Sequence, residues 1–247
     1  MKTDLTGKVA IVTGGTGAIG TAICRQLAAA GAKVATNYRS EEKLKHWQQE
    51  SGNKDFFAYK CDVTDFNSCK AFVAAVEKEL GPVDILVNNA GITMDTTLRK
   101  MSWEQWNTVL NTNLDSVFNM SRQVVQGMMD RGYGRIINIS SINGQKGQIG
   151  QCNYSAAKAG MHGFTMALAQ EVARKGVTVN TLSPGYIATE MVMAVPEDIR
   201  KQIIAQIPVG RLGTVEEVAA SVDFLCSPEA GFITGADIAA NGGQHMM

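Results

Sequence analysis

Tyr154 and Lys158 stand four residues apart in a stretch, Asn153 to Arg174, whose Ala, Leu and Met residues recur with helical spacing. On a helix, residues four apart project to the same side. A free tyrosine has a pKa of about 10 and is a poor acid or base near neutrality. An ammonium close by favours the phenolate and lowers that value, which would make Tyr154 a usable proton donor or acceptor. Upstream, Ser141 follows the apolar run Arg135 to Ile139 and precedes the loop leading to Tyr154. A serine there offers a hydroxyl to a substrate oxygen. A lone tyrosine–lysine pair at this spacing reads as an ordinary helix surface, so its company has to decide.

That company includes Lys8 to Gly20, KVAIVTGGTGAIG, where an apolar β-branched run meets glycines at positions 14, 15, 17 and 20. An apolar periodic segment, Ile19 to Ala30, follows. The pattern predicts a buried strand, a tight turn and an amphipathic helix. The first amides of such a helix lack intrahelical partners and carry partial positive charge, so the turn can hold a pyrophosphate. The Lys-Ser/Thr pair of an NTPase phosphate loop is missing, which argues against ATP or GTP. A glycine-rich turn in some other open sheet is the bland alternative.

The elements needed to position these groups follow in order. Strands are predicted at Ala32–Tyr38, 55–60, Val83–Val87, Arg135–Ile139, Val177–Leu182 and Asp237–Ala240. Helices are predicted from Ser40 toward Glu50, after a cap at Thr64 or Asp65 until Gly81-Pro82, from Ser102 with Gln105 completing a capping box, onward through Asn113 toward Met129, and over Thr214–Leu225. Residues 92–101 read as a loop and 186–213 as an irregular excursion on the substrate side. Strand and helix alternate at βα spacing. The expectation is one α/β domain over 1–247, a doubly wound, mostly parallel, Rossmann-type sheet with helices on both faces. Ligands of such sheets bind beyond the carboxyl ends of the strands. The candidates there are Asn89, Asn113, Ser141, Tyr154, Lys158 and the loop after Ser183.

Bulk composition narrows the class. A chain of 247 residues with 45% hydrophobic side chains can bury a large core. Twenty-three basic and 23 acidic side chains cancel, and no basic cluster marks a nucleic-acid footprint. Apolar runs fall short of a membrane span, and MKTDLTG lacks the apolar core of a signal peptide. Five cysteines without a CxxC pair fit a reducing compartment. A cytoplasmic protein is expected, with no metal site, no membrane and no nucleic-acid partner. An NAD site usually ends its second strand with an acidic residue, whereas this chain has Asn37-Tyr38-Arg39-Ser40. Arg39 is either a planar cation suited to the 2′-phosphate of NADPH or a solvated surface arginine.

Taken together, TGGTGAIG at 13–20, Asp62, NNAG at 88–91, NTNL at 111–114, Ser141, Tyr154-Ser-Ala-Ala-Lys158 and PGYIAT at 184–189 resemble the short-chain dehydrogenase/reductase family. The pieces span nearly the whole chain in the family's order. The resemblance implies a seven-stranded sheet, a nicotinamide cofactor (NADPH/NADP+ in view of Arg39) and a homotetramer. It also implies catalytic roles for four residues. Tyr154 would give the proton, Lys158 would hold the cofactor ribose, Ser141 would position the carbonyl, and Asn113 would anchor a water. Cofactor contacts would come from Thr13, Gly14, Gly15, Gly17, Ala18, Ile19 and Gly20 in the turn, with Asp62 at the adenine and Val63 beside it. Asn89, Ala90 and Gly91 would line the cofactor, with Pro184, Gly185, Ile187 and Thr189 toward the nicotinamide. One departure is Ala18, where the family's turn carries its middle glycine; its methyl fits if φ is negative.

Within the family, Asn138 to Tyr154 and His162 to Val192 resemble the acetoacetyl-CoA reductases of polyhydroxybutyrate synthesis. The 3-oxoacyl-acyl-carrier-protein reductases share the general pattern and form the alternative. Both would use NADPH to give an (R)-3-hydroxyacyl thioester. The resemblance implies that Asp95, Lys100, Gln148, Gln151 and Tyr186 join Ser141 and Tyr154 at the acyl-CoA site. Arg131, Arg135, Arg174 and Lys175 are the basic side chains available to an acidic carrier protein. A catalytically silent nucleotide-binding subunit would need the glycine turn but not Asn113, Ser141, Tyr154 and Lys158 together. The remaining notable residues have plain readings. His162 reads as packing or interface, Cys152 as pocket wall, Trp103 and Trp106 as packing at a subunit contact, and the methionines at 191–193 as core or as a lid.

Overall fold

The computed structural model describes residues 3–51 and 56–246. Strands β1 (Val9–Val12), β2 (Lys33–Tyr38), β3 (Phe57–Lys60), β4 (Ile85–Asn88), β5 (Gly134–Ile139), β6 (Val177–Pro184) and β7 (Asp237–Ala240) form one sheet in the order 3-2-1-4-5-6-7. Every pairing is parallel, so the sheet is wholly rather than mostly parallel. The predicted start of the third strand at Asp55 lies outside the described residues.

A parallel sheet needs crossover helices, and these cover both faces. The strands show why. Side chains alternate across a sheet, and Ala10, Val12, Ile85, Val87, Ile137 and Ile139 pack into one core while Val9, Ile11, Leu86 and Ile136 pack into the other. Nearly continuous apolar strands are therefore required. The first core is closed by helices α1 (Ala18–Ala29) and α10 (Val215–Cys226) through Ile23, Leu27, Val218, Val222 and Leu225. The second is closed by α3 (Phe66–Leu80), α5 (Ser116–Arg131) and α7 (Cys152–Val172) through Phe72, Val76, Met120, Val124 and Val172.

Helix boundaries follow local chemistry. Asp65 caps α3 by accepting the Ser68 amide, and Gly81 ends it. Ser102 and Gln105 form the expected capping box of α4 (Trp103–Leu110), as Thr214 and Glu217 do for α10. The predicted helical stretch through Asn113 departs from α geometry. Asn111–Asp115 form a π turn joining α4 to α5, with the Ser116 amide donating to the Asn111 carbonyl. Such single-turn bulges concentrate at functional sites. Helix α2 (Glu41–Ser51) stands where expected.

Two stretches are more regular than expected. The excursion at 186–213 holds helices α8 (Glu190–Met193) and α9 (Glu197–Ala205). Pro196 opens α9 with acidic residues at its start, where they suit the helix dipole. The loop before Tyr154 holds the short α6 (Ile142–Lys146).

Candidate active site

A cleft of about 580 Å³ runs along the carboxyl ends of the strands, between the glycine turn and the start of α7. Gly14 takes φ +65°, in the left-handed region, and a Cβ added there would stand 3.0 Å from the Ala90 Cα. A Cβ on Gly20 would meet the Gly15 Cα at 2.7 Å. The turn thus packs backbone on backbone, which requires glycine. Its shape is fixed from β2: the Gly14 amide donates to Asn37 Oδ1 at 2.9 Å and the Gly15 amide to Thr36 Oγ1 at 2.9 Å. Ala18 opens α1 after Gly17, and no described residue other than glycine has positive φ. The methyl therefore costs the turn nothing. The first amides of α1 face the cleft at Ala18, Ile19 and Gly20.

Most of the predicted cofactor residues line this cleft, among them Arg39, Asp62, Val63, Asn89, Ala90, Gly91, Pro184, Gly185 and Thr189. Three do not. Thr13 is buried beneath the turn, where its hydroxyl accepts the Asn89 and Ala90 amides at 3.0 and 3.1 Å. Asn89 Nδ2 answers by donating to the Thr13 carbonyl at 2.9 Å. Gly15 lies against Thr36 and Cys24, and Ile187 lines a separate cavity of about 260 Å³.

At the other end the catalytic candidates converge. Ser141 caps α6, its Oγ accepting the Asn143 amide at 3.1 Å, and it stands near enough to the Tyr154 hydroxyl to act on its pKa. Lys158 is buried, and its Nζ donates to the Ile139 carbonyl at 2.7 Å and stands 5.5 Å from the centre of the Tyr154 ring. Gly91 lets the chain pass close by: a Cβ there would reach 2.5 Å from Asn113 Oδ1 and 3.5 Å from Lys158 Nζ. Asn113 itself sits behind the cleft wall. Its Nδ2 donates to the Ile92 and Val109 carbonyls at 2.9 and 2.8 Å, and its Oδ1 accepts the Ile92 amide at 3.3 Å.

The electrostatics correct one expectation. Burial pushes the Tyr154 phenol up, Ser141 opposes that by hydrogen bonding, and the Asp95 charge adds to the rise. The same burial pushes Lys158 down to about 7, so the ammonium expected to support a phenolate is itself weakened. A raised tyrosine stays protonated at neutral pH, which is the form a proton donor needs.

The expected substrate residues separate into two groups. Gln151 is tied at both ends, donating to Asp95 Oδ2 at 2.7 Å and accepting from Asn143 Nδ2 at 2.8 Å. Tyr186 lines the smaller cavity with Ile187, while Gln148 and Lys100 are exposed and line neither. Cys152 is exposed and outside the cleft lining, which corrects its reading as pocket wall. Met191 and Met193 are 71% and 50% exposed, so they are not core, and Met191 lines the cleft.

Several positions were missed from sequence. Asn153 is fully buried, with Oδ1 accepting the Tyr154 amide at 2.8 Å and Nδ2 donating to the Met94 and Gln105 carbonyls. Its signal was its place beside Tyr154. Asn37 and Thr36 gave no signal that pattern could single out, because each acts through partners more than 20 residues away; Asn143 bonds close by, to Ser141 and Gln151, inside a short helix that leaves no periodic trace.

A dinucleotide cradle opening onto a serine–tyrosine–lysine constellation defines a class. The model of the short chain dehydrogenase family matches residues 8–200, and the chain belongs to that family. The family implies a nicotinamide nucleotide, and the glycine turn and first residues of α1 that line the cleft suit its pyrophosphate. More particularly, the chain is 61% identical over 240 residues to the acetoacetyl-CoA reductase of Rhizobium meliloti (strain 1021), covering 96% of this chain and 98% of that protein. It is 55% identical over 245 residues to the acetoacetyl-CoA reductase of Cupriavidus necator, covering 98% and 100%. With the 3-oxoacyl-acyl-carrier-protein reductase of Vibrio cholerae it shares 47% identity over 244 residues, covering 99% and 100%. No helix among the described residues is long and apolar enough to cross a membrane.

Proposed function

We propose that the protein is an NADPH-dependent reductase that converts a 3-ketoacyl thioester, acetoacetyl-CoA, to the (R)-3-hydroxyacyl thioester. The observation that carries this is the Ser141–Tyr154–Lys158 group at the end of a dinucleotide cleft, in a chain 61% identical to a named acetoacetyl-CoA reductase. A bound nicotinamide supplies the hydride that reaches the ketone carbon. This chain's residues do the rest. Ser141 donates a hydrogen bond to the carbonyl oxygen and fixes its direction. Tyr154, kept protonated by burial, transfers its proton to that oxygen as the carbon is reduced. Lys158 holds the ribose and stabilises the phenolate left behind. Asn113 braces the loop after Gly91 beside Lys158.

Arg39, in the cleft lining at the end of β2, is the residue we assign to the 2′-phosphate. A coenzyme A substrate is favoured over acyl carrier protein by where the basic residues lie. Arg135 is buried, donating to the Gly134 carbonyl, and Arg131 donates to the Val83 carbonyl. Arg174 and Lys175 precede the first residue of β6. All four are at the amino ends of strands, away from the cleft in this chain. We further assign one domain, a homotetramer with Trp103, Phe118 and Met166 among its exposed apolar contacts, a cytoplasmic location and a role in polyhydroxybutyrate synthesis.

The test follows NADPH oxidation with acetoacetyl-CoA and with the same acyl group on carrier protein, at matched ionic strength. Higher kcat/KM with the CoA thioester is expected. A tenfold or greater preference for the carrier-protein substrate would overturn the assignment.

A further inference from the structure

His162 lies four residues after Lys158 on the same face of α7, and it belongs to a polar cluster that the mechanism above leaves unused. Its Nε2 is 3.0 Å from Ser140 Oγ, 3.4 Å from Ser183 Oγ and 3.4 Å from Asp237 Oδ2. The surrounding donors settle which way these bonds run. A backbone carbonyl and a carboxylate only accept. Ser140 Oγ therefore donates its single proton to the Lys158 carbonyl at 2.9 Å, and Ser183 Oγ donates to Asp237 Oδ1 at 2.6 Å. Neither serine has a proton left for the imidazole, so Nε2 carries hydrogen and faces three acceptors, Ser140 the nearest. Gln145 Nε2 completes the cluster by donating to Asp237 Oδ2 at 2.8 Å.

We infer that His162 and Asp237 are positioning residues for the reduction, forming a clamp that holds the segment bearing Ser141; this rests on the proposed reductase reading. Ser141 is the cap of α6, and the clamp grips that segment on both flanks, at Ser140 through His162 and at Gln145 through Asp237. The link to Lys158 is direct: Ser140 donates to its carbonyl, and α6 rests on α7 at that point, since a Cβ on Gly144 would stand 2.9 Å from the Lys158 backbone. Four elements, α6, α7, β6 and β7, and Ser140 just after β5 meet at one imidazole and one carboxylate. A shift of about 1 Å in a reacting group can cost on the order of 10²-fold in rate, so a clamp one residue away from Ser141 acts on kcat. The cofactor turn makes none of these bonds, so the clamp reaches the cofactor only through Ser140 and Lys158, and its effect on NADPH binding is smaller than its effect on kcat.

The experiment compares His162→Leu, His162→Gln and Asp237→Asn in the full-length enzyme. Leucine fills the space without a donor, glutamine restores an N–H at nearly the same reach, and asparagine sets a donor against the donors of Ser183 and Gln145. His162→Leu and Asp237→Asn are expected to lower kcat about tenfold, with KM for NADPH within about twofold and little change in melting temperature. His162→Gln is expected to recover most of the rate. Wild-type rate in His162→Leu, or His162→Gln as slow as His162→Leu at equal melting temperature, would overturn the clamp. A readout independent of turnover separates this from failure of the reductase reading. Nitrogen-15 spectra at pH about 9, where a free imidazole is neutral, should show His162 protonated on Nε2. A proton on Nδ1 alone would also overturn it.

Discussion

The two ends of the cleft are made of different materials. At the nucleotide end the shape is set by backbone, with glycines at close approach and side chains such as Asn37, Thr36 and Asn89 bonding to main-chain groups. At the chemical end it is set by side chains bonding to one another across long sequence separations, as in Gln145–Asp237, Ser183–Asp237 and Gln151–Asp95. The nucleotide end meets a phosphate, whose charge and shape never vary, so a rigid cradle of amides suffices. The chemical end must hold a proton donor at a tuned pKa, and only side chains can supply the burial and charge that tune it. The contrast predicts that substitutions at one end should leave the other working.

The largest effect expected is at the acid. Tyr154→Phe keeps the ring that packs against the cleft and removes the proton. Turnover should fall by at least about 10²-fold, while NADPH affinity, measured by fluorescence titration, should change little. A variant retaining a third of the wild-type rate would remove Tyr154 from the proton step.

Next in size is a pH effect on stability. Burial pushes Lys158 down from 10.5 to about 7, so the folded protein gives up a proton that the unfolded chain keeps. Between those two values stability rises with pH; below about 7 both states are protonated and the cost of burying the charge is fully present. Lys158→Met keeps the stem and deletes the charge. The variant should be more stable than wild type at pH 6 and lose that advantage as pH rises toward 10, by up to about 1.4 kcal/mol per unit. Parallel stability curves for the two proteins would refute the buried ammonium.

At the nucleotide end the expected change is in selectivity. Arg39→Ala should lower kcat/KM with NADPH by about tenfold, the scale of a charge-assisted pair on a phosphate, and leave the value with NADH nearly unchanged. Equal efficiency of wild type with both cofactors would sink the assignment.

The same contrast governs what was legible in the sequence. The nucleotide end could be read because glycine at 14, 15, 17 and 20 after an apolar run is a local pattern with a local cause. All seven strands were placed within about two residues where described, since strands covered on both faces must be apolar throughout. That Tyr154, Lys158 and Ser141 would share one end of the cleft was legible from type and spacing. The lowered tyrosine pKa was not, because it presumed a fully charged lysine, and burial is a property of the packed chain. Helix α6 and the π turn at Asn113 were missed because a five-residue helix and one extra residue in a turn leave almost no periodic trace. His162 looked like packing because its partners, Ser140, Ser183 and Asp237, come from three different strands or strand ends.

The smallest effect expected divides two residues that looked equivalent. Gln148 and Gln151 both precede Tyr154 and both offer a neutral amide. Gln151 is bound at both ends, to Asp95 Oδ2 at 2.7 Å and from Asn143 Nδ2 at 2.8 Å. Asn143 in turn gives its amide to Ser141 Oγ, so Gln151 reaches Ser141, the serine assigned to the carbonyl, through one intermediary. It also holds Asp95, whose charge contributes to the raised pKa of Tyr154 and of Tyr186. Gln148 has no such ties and is exposed. Gln151→Ala should therefore lower kcat/KM for acetoacetyl-CoA severalfold, on the scale of about 1 kcal/mol for a lost hydrogen bond, while Gln148→Ala changes it by less than about twofold. The loss in Gln151→Ala should shift the pH dependence of kcat as well, because freeing Asp95 to turn toward solvent lessens the charge felt by the phenol and moves its pKa downward. If Gln148→Ala is the more damaging, the amide that matters contacts substrate directly, and the chemical end of the cleft is less dependent on its side-chain network than the structure implies.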